Sequence, residues 1–347
     1  MRGGQRIRVA FLTRYDRSRA SSRVRVYDYL PHLQRMGFEC RILPFPRRLT
    51  TITKVRYLLN ALWLARWADV VVLQKLVLRE AFVSAVKKAN PRIVFDFDDA
   101  LWAVPDALQQ NPFAQIRHQV QTQRLQHIFT HACCVIAGSN YLANYAKKFA
   151  SYVEVIPSSV DLESYPLKEN WSENPVVLGW IGSPENLIDF IPILPVLREL
   201  VRMADELYIK VVSTCPPKWN DIPFLFERWK LGQDVTYLHS FDIGLMPLND
   251  TERSRGRCAF KAIQYMAVGL PVVASPIGAA SEVIVHGETG FLATSIEEWV
   301  EYLSLLVKNK PLRTKMGKAG RARVERLFSI QANAPKLASL LREVALL

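Results

Sequence analysis

Short apolar runs alternate along the chain with stretches whose apolar positions recur every three or four residues. Residues 7–13, IRVAFLT, predict a buried strand, 14–23 an Arg- and Ser-rich loop, and 24–36 a helix. Val26, Tyr29, Leu30 and Leu33 share one face of that helix, and Gly37 is its stop signal. Strands follow at 38–43, 70–73, 92–96, 134–137 and 153–156, with helices at 78–89, 109–130 and 140–149. Residues 162–175, polar and containing Pro166 and Pro175, read as a linker. The pattern then restarts, with strands at 176–181, 208–212, 242–246 and 271–274. Helices are predicted at 186–201, 260–267, 296–307, 312–327 and from 329 to the C-terminus. Alternation of this kind predicts an α/β protein made of two tandem Rossmann-like, doubly wound domains with an inter-domain cleft. Ligands in such sheets bind at the carboxyl ends of strands.

The 347 residues accommodate two domains, with 50% hydrophobic and 22% charged residues. The N-terminal apolar run is too short for a signal peptide, and no stretch has the roughly 18 apolar residues of a membrane span. The five cysteines, Cys40, Cys133, Cys134, Cys215 and Cys258, include no C-x-x-C pair and read as small buried hydrophobes in a reducing compartment. A cytoplasmic protein, or one peripheral on the inner face of the cell membrane, is expected. Charge changes this picture. Residues 1–170 carry 25 Lys/Arg against 13 Asp/Glu, a net +12, whereas 171–347 carry 20 against 19, a net +1. Eight arginines against Asp16 fall in the first 25 residues, so the loop at 14–25 is expected to meet an anionic partner.

Residues 242–293 hold the densest chemistry. A strand ending at Pro247 leads into a loop with Glu252, Arg253, Arg255 and Arg257, and a helix begins near Cys258 with Lys261 in its first turn. Free N–H groups at a helix start beside basic side chains offer a ready anion site, and a lysine there opposes the helix dipole; an ordinary helix–turn–strand unit with a solvated basic loop is the alternative. Gly269-Leu-Pro271 turns into a strand ending at Ser275, and a small-residue loop runs from Pro276 to Ser281.

This segment resembles the donor-binding signature of family-4 (group 1) retaining glycosyltransferases, E-x7-E followed by A-M-A-x-G-x-P-V-V. It aligns through Gln264-Tyr-Met-Ala-Val-Gly-Leu-Pro-Val-Val273, then Gly278, Glu282 and His286-Gly-Glu-Thr-Gly-Phe-Leu292. Residues 176–183, 241–248, 155–161 and 20–30 are also similar. The resemblance implies a GT-B fold. It also implies that residues 1–165 form the acceptor-side domain, 166–328 the nucleotide-sugar donor domain, and 329–347 a helix crossing back to the first domain. It implies an enzyme that moves a sugar from a UDP- or GDP-sugar co-substrate to a glycan, lipid-linked or other acceptor. Transfer would retain configuration, with no cofactor or metal, in bacterial-type cell-surface polysaccharide synthesis.

The pattern departs from the family at several positions. Gln264 replaces the second glutamate, which in the family reaches the ribose, and the first glutamate falls at Gly256, with Glu252 four residues earlier. The family's Arg and Lys after the first strand of the second domain are replaced by Gly182-Ser-Pro-Glu-Asn186. Lys261 and Arg257 are therefore assigned to the diphosphate and Gln264 to the ribose. Gly182, Ser183, Glu252, Ser275, Gly278, Ala279, Ala280 and Glu282 complete the donor-binding set.

Asp96-Phe-Asp-Asp99 ends a first-domain strand. Asp98 and Asp99 are assigned to catalysis or acceptor positioning, and Ser21, Ser22 and Arg23 to the acceptor side. The D-x-D metal reading belongs to a one-domain fold that this pattern does not support, and capping of the next segment is the plainer alternative. Residues 57–73, with Trp63 and Trp67 beside Arg56 and Arg66, form either a helix packed on the first sheet or one lying on a membrane. Two other classes stand beside the enzyme: a non-catalytic GT-B nucleotide-sugar-binding protein, and a nucleic-acid-binding protein. Donor turnover separates the first, and no nucleic-acid motif supports the second.

Overall fold

The structure is a computed structural model that describes residues 6–347 except 49, 105–107, 109, 170, 172–174 and 204–206. It divides into two compact units. The first holds the described residues up to Ser159 together with 256–258 and 330–347, and the second holds 160–255 and 259–329.

The first unit runs β1 (Ile7–Thr13), α1 (Ala20–Arg25), α2 (Leu30–Arg35), β2 (Phe38–Pro44), α3 (Thr51–Trp67), β3 (Val70–Gln74), α4 (Glu80–Ala89) and β4 (Ile93–Phe97). It continues through α5 (Pro112–His131), β5 (Cys134–Ala137), α6 (Asn140–Ala146) and β6 (Val153–Val155). Six parallel strands lie in the order β2-β1-β3-β4-β5-β6. Alternate strand residues serve opposite faces. Ala10, Leu12, Phe95 and Phe97 pack under α3 to α6, whereas Val9, Phe11, Val72 and Val94 pack under α2 and the C-terminal helix α14 (Ile330–Ala345). Burial on both faces is why these strands read as continuous apolar runs.

The second unit contains β7 (Val176–Ile181), α7 (Leu194–Met203), β8 (Leu207–Ser213), β9 (Leu225–Arg228), α8 (Asp234–His239), β10 (Ile243–Met246), α9 (Glu252–Arg255) and α10 (Phe260–Ala267). After these come β11 (Val272–Ala274), α11 (Ala280–Val283), β12 (Gly290–Leu292), α12 (Ile296–Lys308) and α13 (Lys310–Leu327). Its parallel sheet has the order β12-β11-β10-β7-β8-β9. The connections therefore reverse direction between β7 and β10, the position where such sheets open a crevice.

Several sequence expectations are corrected. The helix expected over 24–36 is three pieces, because Pro31 lacks the N–H an interior position needs and fits only the first turn of α2. The loop expected over 14–23 turns helical at Ala20. Pro192 and Pro195 likewise break 186–201 into 3₁₀ turns over Pro184–Ile193 and then α7. The helix expected to reach 149 stops at Ala146. β9, α8 and β12 are too short to announce themselves by periodicity. The described part of 162–175 is no free linker: Lys168 is buried, with its ammonium on Asp242 at 2.8 Å and on the Phe241 carbonyl. The rest of that stretch includes positions outside the described residues.

One buried ion pair ties the layers of the first unit together. Arg25 on α1 donates through Nε to Asp96 Oδ1 at 3.0 Å, through Nη2 to Oδ2, and through Nη1 to the Ile156 carbonyl at 2.6 Å. Its side chain is 2% exposed and that of Asp96 7%. Removing one partner of such a pair leaves an uncompensated buried charge. Arg25→Met is expected to cost about 3–5 kcal/mol in urea unfolding. Arg198→Ala, which breaks a solvent-exposed pair with Asp221, is expected to cost about 0–1 kcal/mol.

Candidate functional site

In the second unit the carboxyl ends of β7, β10 and β11 are neighbours, and their loops carry most of the donor-binding residues expected from sequence. Gly182 follows β7. Lys261, the second residue of α10, passes over it, with its Nζ 5.5 Å from the centroid of the Trp180 ring. A Cβ at position 182 would lie 2.6 Å from the Trp180 ring and 2.8 Å from Lys261 Cε, so the lysine stem occupies the space a side chain would fill. Ser275 follows β11, is buried, and accepts from the Leu248 N–H at 3.0 Å, which fastens the β10 loop to the β11 loop. Gly278 has φ +61°, and a Cβ there would sit 2.6 Å from the Arg255 carbonyl, so glycine is required twice over.

Ser183 precedes the 3₁₀ turns after Gly182, and its hydroxyl accepts from Asn186 Nδ2 at 3.1 Å. Ala279 and Ala280 are buried at the start of α11, and the carbonyl of half-buried Glu282 accepts from Arg323 at 2.8 Å. Gln264 lies one turn beyond Lys261, 5% exposed, and its Nε2 donates to Tyr165 Oη at 2.9 Å. Glu252 is exposed on α9. The non-glycine φ of +50° at Ala259 marks strained backbone at the start of α10.

A second cluster forms at the carboxyl ends of β3 and β4 in the first unit. Lys75 has φ +54°, a left-handed conformation that costs a non-glycine residue about 1–2 kcal/mol. In that conformation its largely buried ammonium reaches Asp98 Oδ1 at 3.0 Å and pairs with half-exposed Asp99. Burial acts to raise Asp98, but the Lys75 and Arg25 cations outweigh it and hold its carboxyl below the ordinary range. Burial likewise acts to lower Lys75, and the two carboxylates outweigh it.

Around this centre, Ser21 donates to Asp98 Oδ1 at 2.7 Å. Ser22, fully buried, donates to Gln74 Oε1 at 2.6 Å and accepts from the Tyr15 N–H at 3.2 Å, so it holds α1 rather than facing outward. Arg23 is half-buried on the same helix. Cys258 donates through Sγ to the Asp98 carbonyl at 3.1 Å, and burial together with Asp98 pushes its thiol well up. Arg257, half-buried, contributes positive potential at Asp99.

Asp96 is spent on Arg25 and the other two carboxylates on Lys75, so the three do not converge on one point. Among the described residues no group of three His, Cys, Asp or Glu side chains is disposed to hold a metal. Gly256 packs on Ala100, and a Cβ there would lie 2.4 Å from the Ala100 Cβ and 2.6 Å from its backbone N. The position aligned with the family's first glutamate therefore has no room for any side chain. Sequence reasoning missed Lys75, Gln74, Arg25 and Cys258. For Lys75 the one signal was a lone cation shortly after the apolar run Val70–Leu73.

The fold is GT-B. Sucrose-phosphate synthase from Thermosynechococcus elongatus superposes with a TM-score of 0.73 at 14% identity, over 98% of this chain and 99% of that one. HepE from Anabaena, solved with UDP and glucose, gives 0.69 at 13% identity over 97% and 100%. WaaG, a glycosyltransferase involved in lipopolysaccharide biosynthesis, gives 0.67 at 14% over 96% and 99%. Residues 228–309, which include β10, the Lys261 turn and the Gly278 loop, match the family model for glycosyl transferases group 1. Comparison with curated protein sequences returns no match.

The Lys75–Asp98 pair makes acid behaviour testable. Asp98 has a depressed pKa in the fold, so its contribution is present above the ordinary carboxylate pKa and is lost as pH falls through the depressed value. Lys75→Met is expected to lower the urea midpoint at neutral pH, and the gap from the unsubstituted protein should close as pH falls below that value. A gap independent of pH would mean that the ion pair is not its source.

Proposed function

We propose that the protein is a glycosyltransferase that takes a sugar from a nucleoside-diphosphate-sugar, UDP- or GDP-linked, and passes it to a glycan or lipid-linked acceptor with retention of configuration. The observation that carries this reading is a cation placed at a strand end: Lys261 lies in the first turn of α10, above Gly182, within the segment similar to group 1 transferases.

Departure of the nucleoside diphosphate develops negative charge. Lys261 and the N–H groups at the start of α10 stabilise that charge. The Gly278–Ala280 turn brings backbone to the donor, with Glu252 and Glu282 on the sugar side and Gln264 on the ribose. Asp98 and Asp99 serve the acceptor, together with Ser21 and Arg23 of α1, and Lys75 is a positioning residue that keeps Asp98 ionised. The chemistry needs no divalent cation, because the basic groups neutralise the diphosphate. The likeness to an enzyme of lipopolysaccharide assembly favours an acceptor in cell-surface glycan synthesis.

A second reading rests on Gly256. With the first glutamate replaced and its side-chain space filled by Ala100, the protein binds nucleotide-sugars without transferring them. Release of free nucleotide in the presence of acceptor distinguishes transfer from binding alone.

A thermal-shift screen of UDP, GDP and their sugars identifies the donor. With that donor, Lys261→Ala is expected to weaken binding by about 1.5–3 kcal/mol, the size of a hydrogen bond to a charged group. Calorimetry on the folded variant measures it, and unchanged affinity removes Lys261 from the site. Transfer is expected to persist in excess EDTA. Loss that manganese or magnesium restores would assign the diphosphate to a metal instead.

A further inference from the structure

The outer surface of the helix layer α3–α4–α5 in the first unit is unusually apolar. α3 carries two apolar stripes. Tyr57, Ala61 and Leu64 are buried toward the sheet. At about 100° per residue, Ile52, Val55, Leu59 and Trp63 fall along the opposite side, and they are 79%, 52%, 61% and 57% exposed. α5 repeats the arrangement: Leu125, Ile128 and Phe129 are buried, while Phe113, Ile116 and Val120 are 80%, 58% and 38% exposed. α4 packs between the two helices. A helix whose second apolar face meets water has an unmet partner.

The charge around these stripes has one sign. From Cys40 to Ala68 the chain has six Lys/Arg and no Asp/Glu, and from 107 to 153 it has four and none. Arg56 and Arg66 flank the α3 stripe and are exposed. Arg41 stacks on Trp67, 4.1 Å from the ring centroid, and on Trp63 at 5.3 Å. The bounding acids are answered: Glu39 pairs with Arg41 at 3.4 Å and Asp69 with Arg8 at 3.1 Å. Glu80 opens α4, which ends in Lys87 and Lys88.

We infer that this face docks on an anionic lipid bilayer. The aliphatic side chains and Phe113 enter the headgroup–acyl boundary, Trp63 lies at headgroup level, and the arginines extend to the phosphates. Lines of Ile, Val, Leu and Trp ringed by cations complement such a surface. No helix among the described residues is long and apolar enough to cross a membrane, so attachment rests on this face. α3 and α5 follow β2 and β4 of the parallel sheet, so both begin at its carboxyl edge. The arginines at 14–25 contribute less than their number suggests, since Arg25 is consumed inside the fold. The inference does not depend on the transferase reading, because it concerns binding alone.

The test uses the full chain with vesicles of phosphatidylcholine alone and of phosphatidylcholine with an equal part of phosphatidylglycerol. The protein is expected to pellet with the second and not the first, and to be released as salt rises from about 0.1 M to about 1 M. Arg56→Gln should weaken partition about fivefold. The double substitution Val55→Asp, Leu59→Asp sits at exposed positions, so it should keep the urea midpoint yet lower partition at least about tenfold. Absence of pelleting with the anionic vesicles, equal pelleting with neutral ones, or an unaffected double variant overturns the inference. So does self-association in vesicle-free sedimentation that the double variant abolishes, which assigns the face to a second copy of the chain. Nucleotide binding measured on the same samples separates this outcome from failure of the transferase reading.

Discussion

Each sheet pairs its six strands in parallel, so six carboxyl ends, with the loops that follow them, meet along one edge. Everything chemical in this protein is a response to that crowding. In the second unit it brings the loops after β7, β10 and β11 together at the reversal of connection order, although Gly182, Lys261 and Gly278 are far apart in the chain. In the first unit it sets the end of β3 beside the end of β4, so that Lys75 and Asp98 meet. Charges placed deep at the rim of a buried apolar sheet meet little solvent, and there they answer one another.

The first unit answers them with two ionic groups of different character. Arg25 and Asp96 are sealed inside and serve the architecture, joining α1 to β4 and to the chain after β6. Lys75, Asp98 and Asp99 form the outer group, where Asp99 is half open to solvent. Lys75 adopts a left-handed backbone to reach its partners, and the cost of that conformation is offset by the pairing it permits. Cys258 closes the cluster by donating to the Asp98 carbonyl, and Gly256 leaves no space for the side chain that the family signature places there. The charged groups gathered at this position are therefore a lysine–carboxylate arrangement of the first unit rather than a glutamate from the α9–α10 loop.

The helix layers show the same division between inward and outward demands. α3 satisfies the sheet with Tyr57, Ala61 and Leu64, and its outer residues are left to serve another surface. The two stripes lie on opposite sides, so neither dominates the hydrophobic pattern read along the chain. For that reason the stretch allowed both a packed and a surface role before the fold was known.

Local pattern alone determined the α/β alternation and the continuous apolar strands, because burial on both faces imposes runs such as Val70–Leu73 whatever lies around them. The 264–292 run, which carries the resemblance to GT-B enzymes, was legible for a similar reason: Gly278 answers a backbone demand that holds at short range. Pro31, Pro192 and Pro195 stand in the sequence too, but the apolar residues around them keep helical spacing across the breaks they cause. Other features waited for the tertiary structure. Nothing near Lys75 in the chain specifies its partners, since Asp98 and Asp99 arrive through strand order, and nothing near Gly256 announces Ala100. Arg25 reads in the sequence as one of five arginines between residues 14 and 25, and only the fold buries it on Asp96. Charge and periodicity are properties of the chain, whereas the identity of a partner depends on which strands are neighbours, and parallel pairing makes neighbours of residues that sequence separation keeps apart.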